Sequence, residues 1–158
     1  PQAIYVEGDL TDATAFAERL AERGLVPISV KLPRGPLPLD AGAAQAQWRG
    51  LAEIEGHLVQ GDTFAVAAVT QEALRWSPGF RNVSVVPVRS LDAAVDAWTA
   101  LGPTLKCVGV DSSSFDESAN ALSRSEELSA YACPIGTMQT PPFDTPADGH
   151  RPWYGLLS

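Results

Sequence analysis

The chain predicts an α/β fold with a mainly parallel sheet and flanking helices, on three observations. Two short runs, residues 82–88 and 105–111, are apolar and rich in Val, as strands buried on both faces are. Between them, residues 90–101 place Leu91, Ala94, Val95, Trp98 and Leu101 on one helical face. Strand-like and helix-like segments then alternate along the rest of the chain, the pattern of parallel sheets covered by helices. A strand, a helix and a strand of these lengths predict a right-handed parallel crossover within one sheet, spanning residues 82–111.

Taken in order, residues 3–6 form a first strand, followed by a turn at Gly8-Asp9. Thr11 is expected to cap a helix that carries Ala13, Phe16, Ala17 and Leu20 on one face and stops at Gly24. Residues 26–30 predict a second, short strand. The connection over 31–40 holds Pro33, Pro36 and Pro38 and reads as a rigid surface loop rather than a polyproline ligand. Asp40 then caps a second helix running to Gln60-Gly61-Asp62, with Trp48, Leu51, Ile54 and Leu58 as its buried stripe. Residues 64–69 are a third strand, Ala-rich and therefore packed close to a neighbour, and 70–79 an irregular return. Ser90 is the N-cap of the crossover helix and Gly102-Pro103 its stop. Beyond Asp111, Ser114 and Glu117 make a capping box for a helix with Phe115, Ala119 and Leu122 inward. Residues 130–135 are the last strand, interrupted at Pro134. Pro141, Pro142 and Pro146 exclude regular structure from 136–149, and a short amphipathic segment with Trp153, Leu156 and Leu157 follows.

A length of 158 residues suits a single domain or a substantial piece of a longer protein, and 45% hydrophobic with 19% charged residues argues against overall disorder. The opening at Pro1, directly into a strand, suggests a processed chain or a fragment. A net charge of -8 opposes non-specific binding to nucleic acid or to an anionic membrane surface. The chain has no apolar run of membrane-spanning length, so neither nucleic acid nor membrane is an expected partner, and a cytoplasmic location is expected. Cys107 and Cys133 sit in strand-like apolar contexts and are expected to be reduced core thiols. With two Cys and two His far apart, there is no zinc-type spacing and no metal is expected.

No phosphate loop, dinucleotide fingerprint, zincin motif or nucleophile elbow is present. Cys133 would need a nearby base or helix N-terminus to act as a nucleophile, and neither is evident in sequence. His57 is expected to face solvent. Asp148-Gly149-His150-Arg151 brings a carboxylate, an imidazole and a guanidinium into one turn, so Asp148 and His150 are acid/base candidates, set against a solvated tail as the plainer reading. The opening Pro1-Gln2-Ala3-Ile4-Tyr5-Val6-Glu7-Gly8 resembles the start of the tautomerase family over about twenty residues, which would make Pro1 a general base. The second β-α-β half that such a chain would need is lacking.

A broader resemblance starts at Phe80-Arg81-Asn82-Val83-Ser84-Val85-Val86-Pro87-Val88, continues through Leu91-Asp92-Ala93-Ala94 and Leu105-Lys106-Cys107-Val108-Gly109, and is most specific in Cys133-Pro134-Ile135-Gly136-Thr137-Met138-Gln139-Thr140-Pro141-Pro142 with Asp148-Gly149 beyond. In order and spacing these resemble the C-terminal part of the acyl-CoA reductase family, the bioluminescence fatty-acid reductase branch of the aldehyde dehydrogenase superfamily. Together they cover about half the chain. The resemblance implies an aldehyde-dehydrogenase catalytic-subdomain-like fold and a Cys nucleophile a few residues upstream of Pro1-Gln2, outside this chain. It further implies an acyl-CoA or acyl thioester substrate, reduced to an aldehyde with NADPH or NADH in the parent protein, while this chain alone binds neither cofactor. Thr137, Met138 and Gln139 would line the substrate path, with Met138 against the acyl chain. The superfamily's E-x-F-G-P has no counterpart beside Gly79-Phe80-Arg81, which leaves the cofactor contacts unassigned. The rival reading is a non-catalytic module for binding or homo-oligomer formation.

Overall fold

A computed structural model describes residues 2–100, 105–111, 113, 115–116, 119–120 and 130–142. The chain divides into two compact units, Pro1–Ser90 and Leu91–Ser158.

The first unit is a four-stranded sheet in the order β1-β4-β3-β2, with β1 Ala3–Glu7, β2 His57–Gln60, β3 Ala65–Ala68 and β4 Asn82–Val88. Both β1 and β3 run parallel to β4, and β2 is antiparallel to β3, so the sheet is mostly parallel as expected. Helix α1, Leu10–Leu20, packs with Val66, Ala68, Val83 and Val85 on one face. Helix α3, Leu39–Glu55, covers the other face against Ala65, Ala67, Val69 and Val86. The alanines of β3 are fully buried between these layers, which is why small residues stand there.

Proline is uncommon in a central strand because it cannot donate to the ladder. Pro87 escapes the penalty by register. The Ser84 amide donates to Gln2 on the β1 side, and the Val69 amide donates to the Val85 carbonyl on the β3 side. Odd positions of β4 therefore face β3, whose pairing ends at Ala68↔Val85, so Pro87 points its missing donor past the end of that strand.

Several local expectations are corrected. The N-cap of α1 is Asp9 rather than Thr11, and Asp12 completes a reciprocal capping box. Gly24 does not end the helix. It lacks the left-handed conformation of a capping glycine, and the chain runs on through a π-helical turn, Ala21–Leu25, into α2, Val26–Lys31. The expected strand over 26–30 is thus helical, with Pro27 in the first turn where its missing amide costs nothing. Pro38, not Asp40, occupies the cap position of α3. That helix ends at Glu55, and His57–Gln60 is strand. A side chain on Gly56 would meet the Ala68 carbonyl and lie 2.7 Å from Val69 Cγ1, so only glycine permits this close turn into β2. The buried face of α3 is Trp48 and Ala52, while Leu51 and Ile54 are exposed, because the close approach to β3 selects the small residue.

The Asp9 carboxylate accepts from the amides of Thr11 at 2.7 Å and Asp12 at 3.1 Å, which holds it below its ordinary pKa. A depressed carboxylate stabilises the fold above its unfolded pKa and loses that contribution as pH falls through the folded value. Thermal melts of the wild type and Asp9→Asn should therefore differ near neutrality and converge below about pH 4.

The second unit contains α4, Leu91–Thr99, and a parallel pair, β5 Cys107–Val110 with β6 Tyr131–Pro134. Residues 115–116 and 119–120 are helical, and the Ser114–Glu117 capping box lies outside the described residues. The expected crossover from β4 into one continuous sheet is not found. β4 already pairs with β1 on one edge and β3 on the other, and β5 pairs with β6 in a separate sheet. Among the described residues no helix is long and apolar enough to cross a membrane.

Candidate functional site

The sequence-predicted substrate loop follows the C-terminal end of β6. Gly136 turns the chain at φ 97°, and the loop closes on itself through Thr137, whose amide and hydroxyl both donate to the Pro134 carbonyl, at 3.1 and 2.8 Å. The Thr140 amide in turn donates to the Thr137 carbonyl at 2.9 Å. Thr137 and Gln139 are exposed, whereas Met138 is half-buried.

Register explains where Met138 goes. Cys107 pairs with Tyr131 and Gly109 with Cys133, so these four residues share one face of the parallel pair. The Met138 thioether lies on that face, 2.6 Å from where a Gly109 side chain would begin, and glycine is what lets it approach. The Tyr131 hydroxyl donates to the Met138 carbonyl at 3.3 Å, tying the loop to the sheet. Of the three predicted lining residues, the structure brings only Met138 onto this face.

The two thiols, 26 residues apart in sequence, lie side by side with Sγ atoms 3.5 Å apart, and both cysteines are free. Cys133 is buried. Burial pushes the Cys107 thiol up, and neighbouring Cys133 adds to this, while the Tyr131 hydroxyl opposes it. Contact with Cys107, reinforced by desolvation, holds the Tyr131 phenol up at about 12. The upward shift at Cys107 disfavours its thiolate, the opposite of what activates a nucleophile. Alkylation of native protein at pH 7 should accordingly be much slower than that of free cysteine and become complete in denaturant. Rapid stoichiometric labelling of Cys107 in the folded state would contradict this, and mass spectrometry of the labelled chain reads it directly.

His57 is exposed, with Nε2 at 3.3 Å from Glu18 Oε1. Pro1, Asp148 and His150 lie outside the described residues, and the Cys nucleophile implied by the resemblance lies outside the chain. Among the described residues no group of three His, Cys, Asp or Glu side chains is arranged to hold a metal ion. A cavity of about 10 Å³ beside Trp48, Ala52 and Ser84 has room for a water molecule at most.

Sequence reasoning missed a second polar cluster, in the first unit. Asn82, 1% exposed at the start of β4, is its hub. Its Nδ2 donates to the Gly79 carbonyl at 2.6 Å and to Gln45 Oε1 at 3.2 Å, and its Oδ1 accepts from Arg49 Nε at 3.2 Å. Arg34 Nη1 donates to the same Gln45 oxygen at 2.8 Å and to the Phe80 carbonyl at 3.2 Å. Asn82 is 33 and 37 residues from Arg49 and Gln45, and Arg34 is 46 from Phe80, so no local motif could reveal the cluster. The only sequence signal is Pro78-Gly79 just before the strand.

Compared with known protein families and with curated proteins, the chain matches none.

Proposed function

We propose that the chain is part of an NAD(P)H-dependent reductase of acyl thioesters, forming an aldehyde through a Cys thioester whose nucleophile lies upstream of Pro1. One observation supports this reading above the others: the segment with the most specific resemblance, 133–142, spans the end of β6 and the loop that follows it at the C-terminal end of the parallel pair β5–β6. Ligands of parallel α/β sheets gather at the carboxyl ends of the strands. The half-buried thioether of Met138 offers a flexible apolar contact for an acyl chain. In this reading the upstream thiol displaces CoA from an acyl-CoA, NADPH or NADH delivers hydride to the resulting thioester and becomes NADP+ or NAD+, and the carbon–sulfur bond breaks to return the protonated thiol and release the aldehyde.

The test is reconstitution. A longer chain that restores the upstream Cys and a nucleotide-binding half should oxidise NADPH or NADH in the presence of a long-chain acyl-CoA and yield an aldehyde. The 158-residue chain alone should yield none. In the reconstituted protein, Met138→Glu should lower kcat/KM for long acyl groups by about tenfold, with a smaller effect on acetyl thioesters. Robust aldehyde formation by the isolated chain would refute the missing-nucleophile reading.

The rival reading, a binding or oligomerisation module, draws on the apolar exposure of α2. That helix buries no residue, and Val30 is 80% exposed. Sedimentation over a range of concentrations separates the two: self-association abolished by Val30→Asp would favour the module.

A further inference from the structure

Acidic residues outnumber basic ones 19 to 11 in this chain, yet Arg34 and Arg49 lie together beside the loop entering β4, with Arg81 in that loop, and none of the three has a carboxylate partner among the described residues. Every acceptor they use is neutral. Arg34 and Arg49 bond to the side-chain amides of Gln45 and Asn82, and Arg81 Nη2 donates to the Leu32 carbonyl at 2.5 Å. The Nη2 group of Arg49 is buried and has no hydrogen-bond partner among the described residues. Such a donor is costly to bury unless something accepts from it. Burial and the neighbouring Arg34 charge both pull the Arg49 pKa down, the direction expected for a cation without an adjacent counter-charge.

The backbone beside the cluster is also held in an unfavourable form. Gly79, Phe80 and Arg81 have φ of 76°, 51° and 67°, so two of three successive left-handed positions carry full side chains. Such positions are strained for residues with a side chain and persist only where surrounding contacts over-determine them. Here the Ser77 hydroxyl, donating to the Asn82 carbonyl at 2.6 Å, and the Asn82 amide hold the turn. The Phe80 ring is left 48% exposed at the rim.

We propose that Arg34 and Arg49 form a site for the phosphoryl group of a small-molecule phosphoester, with the buried Nη2 of Arg49 as its innermost donor. A planar guanidinium fork matches phosphate oxygens, and a dianion offsets more of this cluster's charge than a single carboxylate does. The exposed ring of Phe80 suits the organic part of the ester. The site lies wholly in the first unit and does not rest on the reductase reading.

Calorimetric titration of the full 158-residue chain with adenosine 5′-phosphate, inorganic phosphate and succinate tests it. Saturable binding of both phosphates tighter than about 1 mM, with succinate weaker, is expected. Tighter binding of the adenosine ester than of inorganic phosphate identifies an organic phosphoester as the occupant, and equal binding overturns that part of the proposal. Arg49→Gln should weaken phosphate binding about tenfold, and Arg19→Gln, on α1, should leave it unchanged. Should Arg49→Gln fail to fold by circular dichroism, Arg34→Gln carries the same expectation of weakened binding. Absence of saturable phosphate binding, equal binding of succinate, or equal affinity in the arginine variants and the Arg19→Gln control would overturn the site.

Discussion

Trp48→Ala is expected to lower the stability of the fold by about 3–5 kcal/mol, read from urea unfolding followed by circular dichroism. Trp48 is 5% exposed and packs with Ala52, Ala65, Ala67, Val69 and Val86 in the core on the α3 side of the sheet. Its neighbours on β3 are alanines, too short to move into the space left behind. The loss therefore includes a cavity as well as the transferred ring. Since small domains are stable by roughly 5–15 kcal/mol, this single change should remove a large share of the total. Trp48→Phe separates the contributions. It keeps most of the volume but loses the hydrogen bond from Nε1 to the Arg75 carbonyl at 3.2 Å. That carbonyl still accepts from Ser84 Oγ at 3.1 Å, so the hydrogen-bond part of the loss should be about 1 kcal/mol. A loss in Trp48→Phe as large as in Trp48→Ala would show that packing is not the main term.

The second large effect is expected at Asn82. Asn82→Ala removes a buried amide that bonds at once to Gly79, Gln45 and Arg49, at 2.6, 3.2 and 3.2 Å. Each partner left unsatisfied in a buried setting adds its desolvation cost, for an expected loss of about 3 kcal/mol. Asn82→Asp keeps the shape and the acceptor for Arg49 but turns the donor to Gly79 and Gln45 into a second acceptor. It should restore only part of the loss, and any phosphate binding at the arginines should weaken as the carboxylate neutralises Arg49. Amide hydrogen exchange should show the change first in 77–82, where the left-handed turn depends on Asn82. Uniform loss of protection across the sheet, with the turn unaffected, would show that Asn82 is an ordinary strand residue.

Several elements were legible because their signals are local. β4 and α4 follow from Val-rich and 3.6-periodic patterns, and both lie within a residue or two of where they were expected. The last strand, with Pro134 at its end, was legible for the same reason. Failures occurred where two local signals competed. Val26, Ile28 and Val30 favour a strand by side-chain type, yet a helix already nucleated by the Asp9 capping box extends through them by a π-helical turn. His57–Gln60 read as the end of a helix because Leu58 fits the stripe of α3. Gly56 reverses this, since only there can the chain pass close to Ala68.

At the candidate sites the division is sharper. Met138 was singled out in sequence as an acyl contact, but its position over Gly109 depends on the parallel register of β5 and β6. The adjacent thiols of Cys107 and Cys133 and the arginine cluster around Asn82 bring together side chains 26 and 33 residues apart. The amino-acid sequence by itself determined the α/β class, the positions of β4 and α4 and the acidic balance of the chain. Tertiary structure alone decided that β5 does not pair with β4, both of whose edges are already taken by β1 and β3. It also decided which arginines meet. Periodicity is a property of neighbours along the chain, whereas edge occupancy and charge proximity exist only once distant strands have been placed.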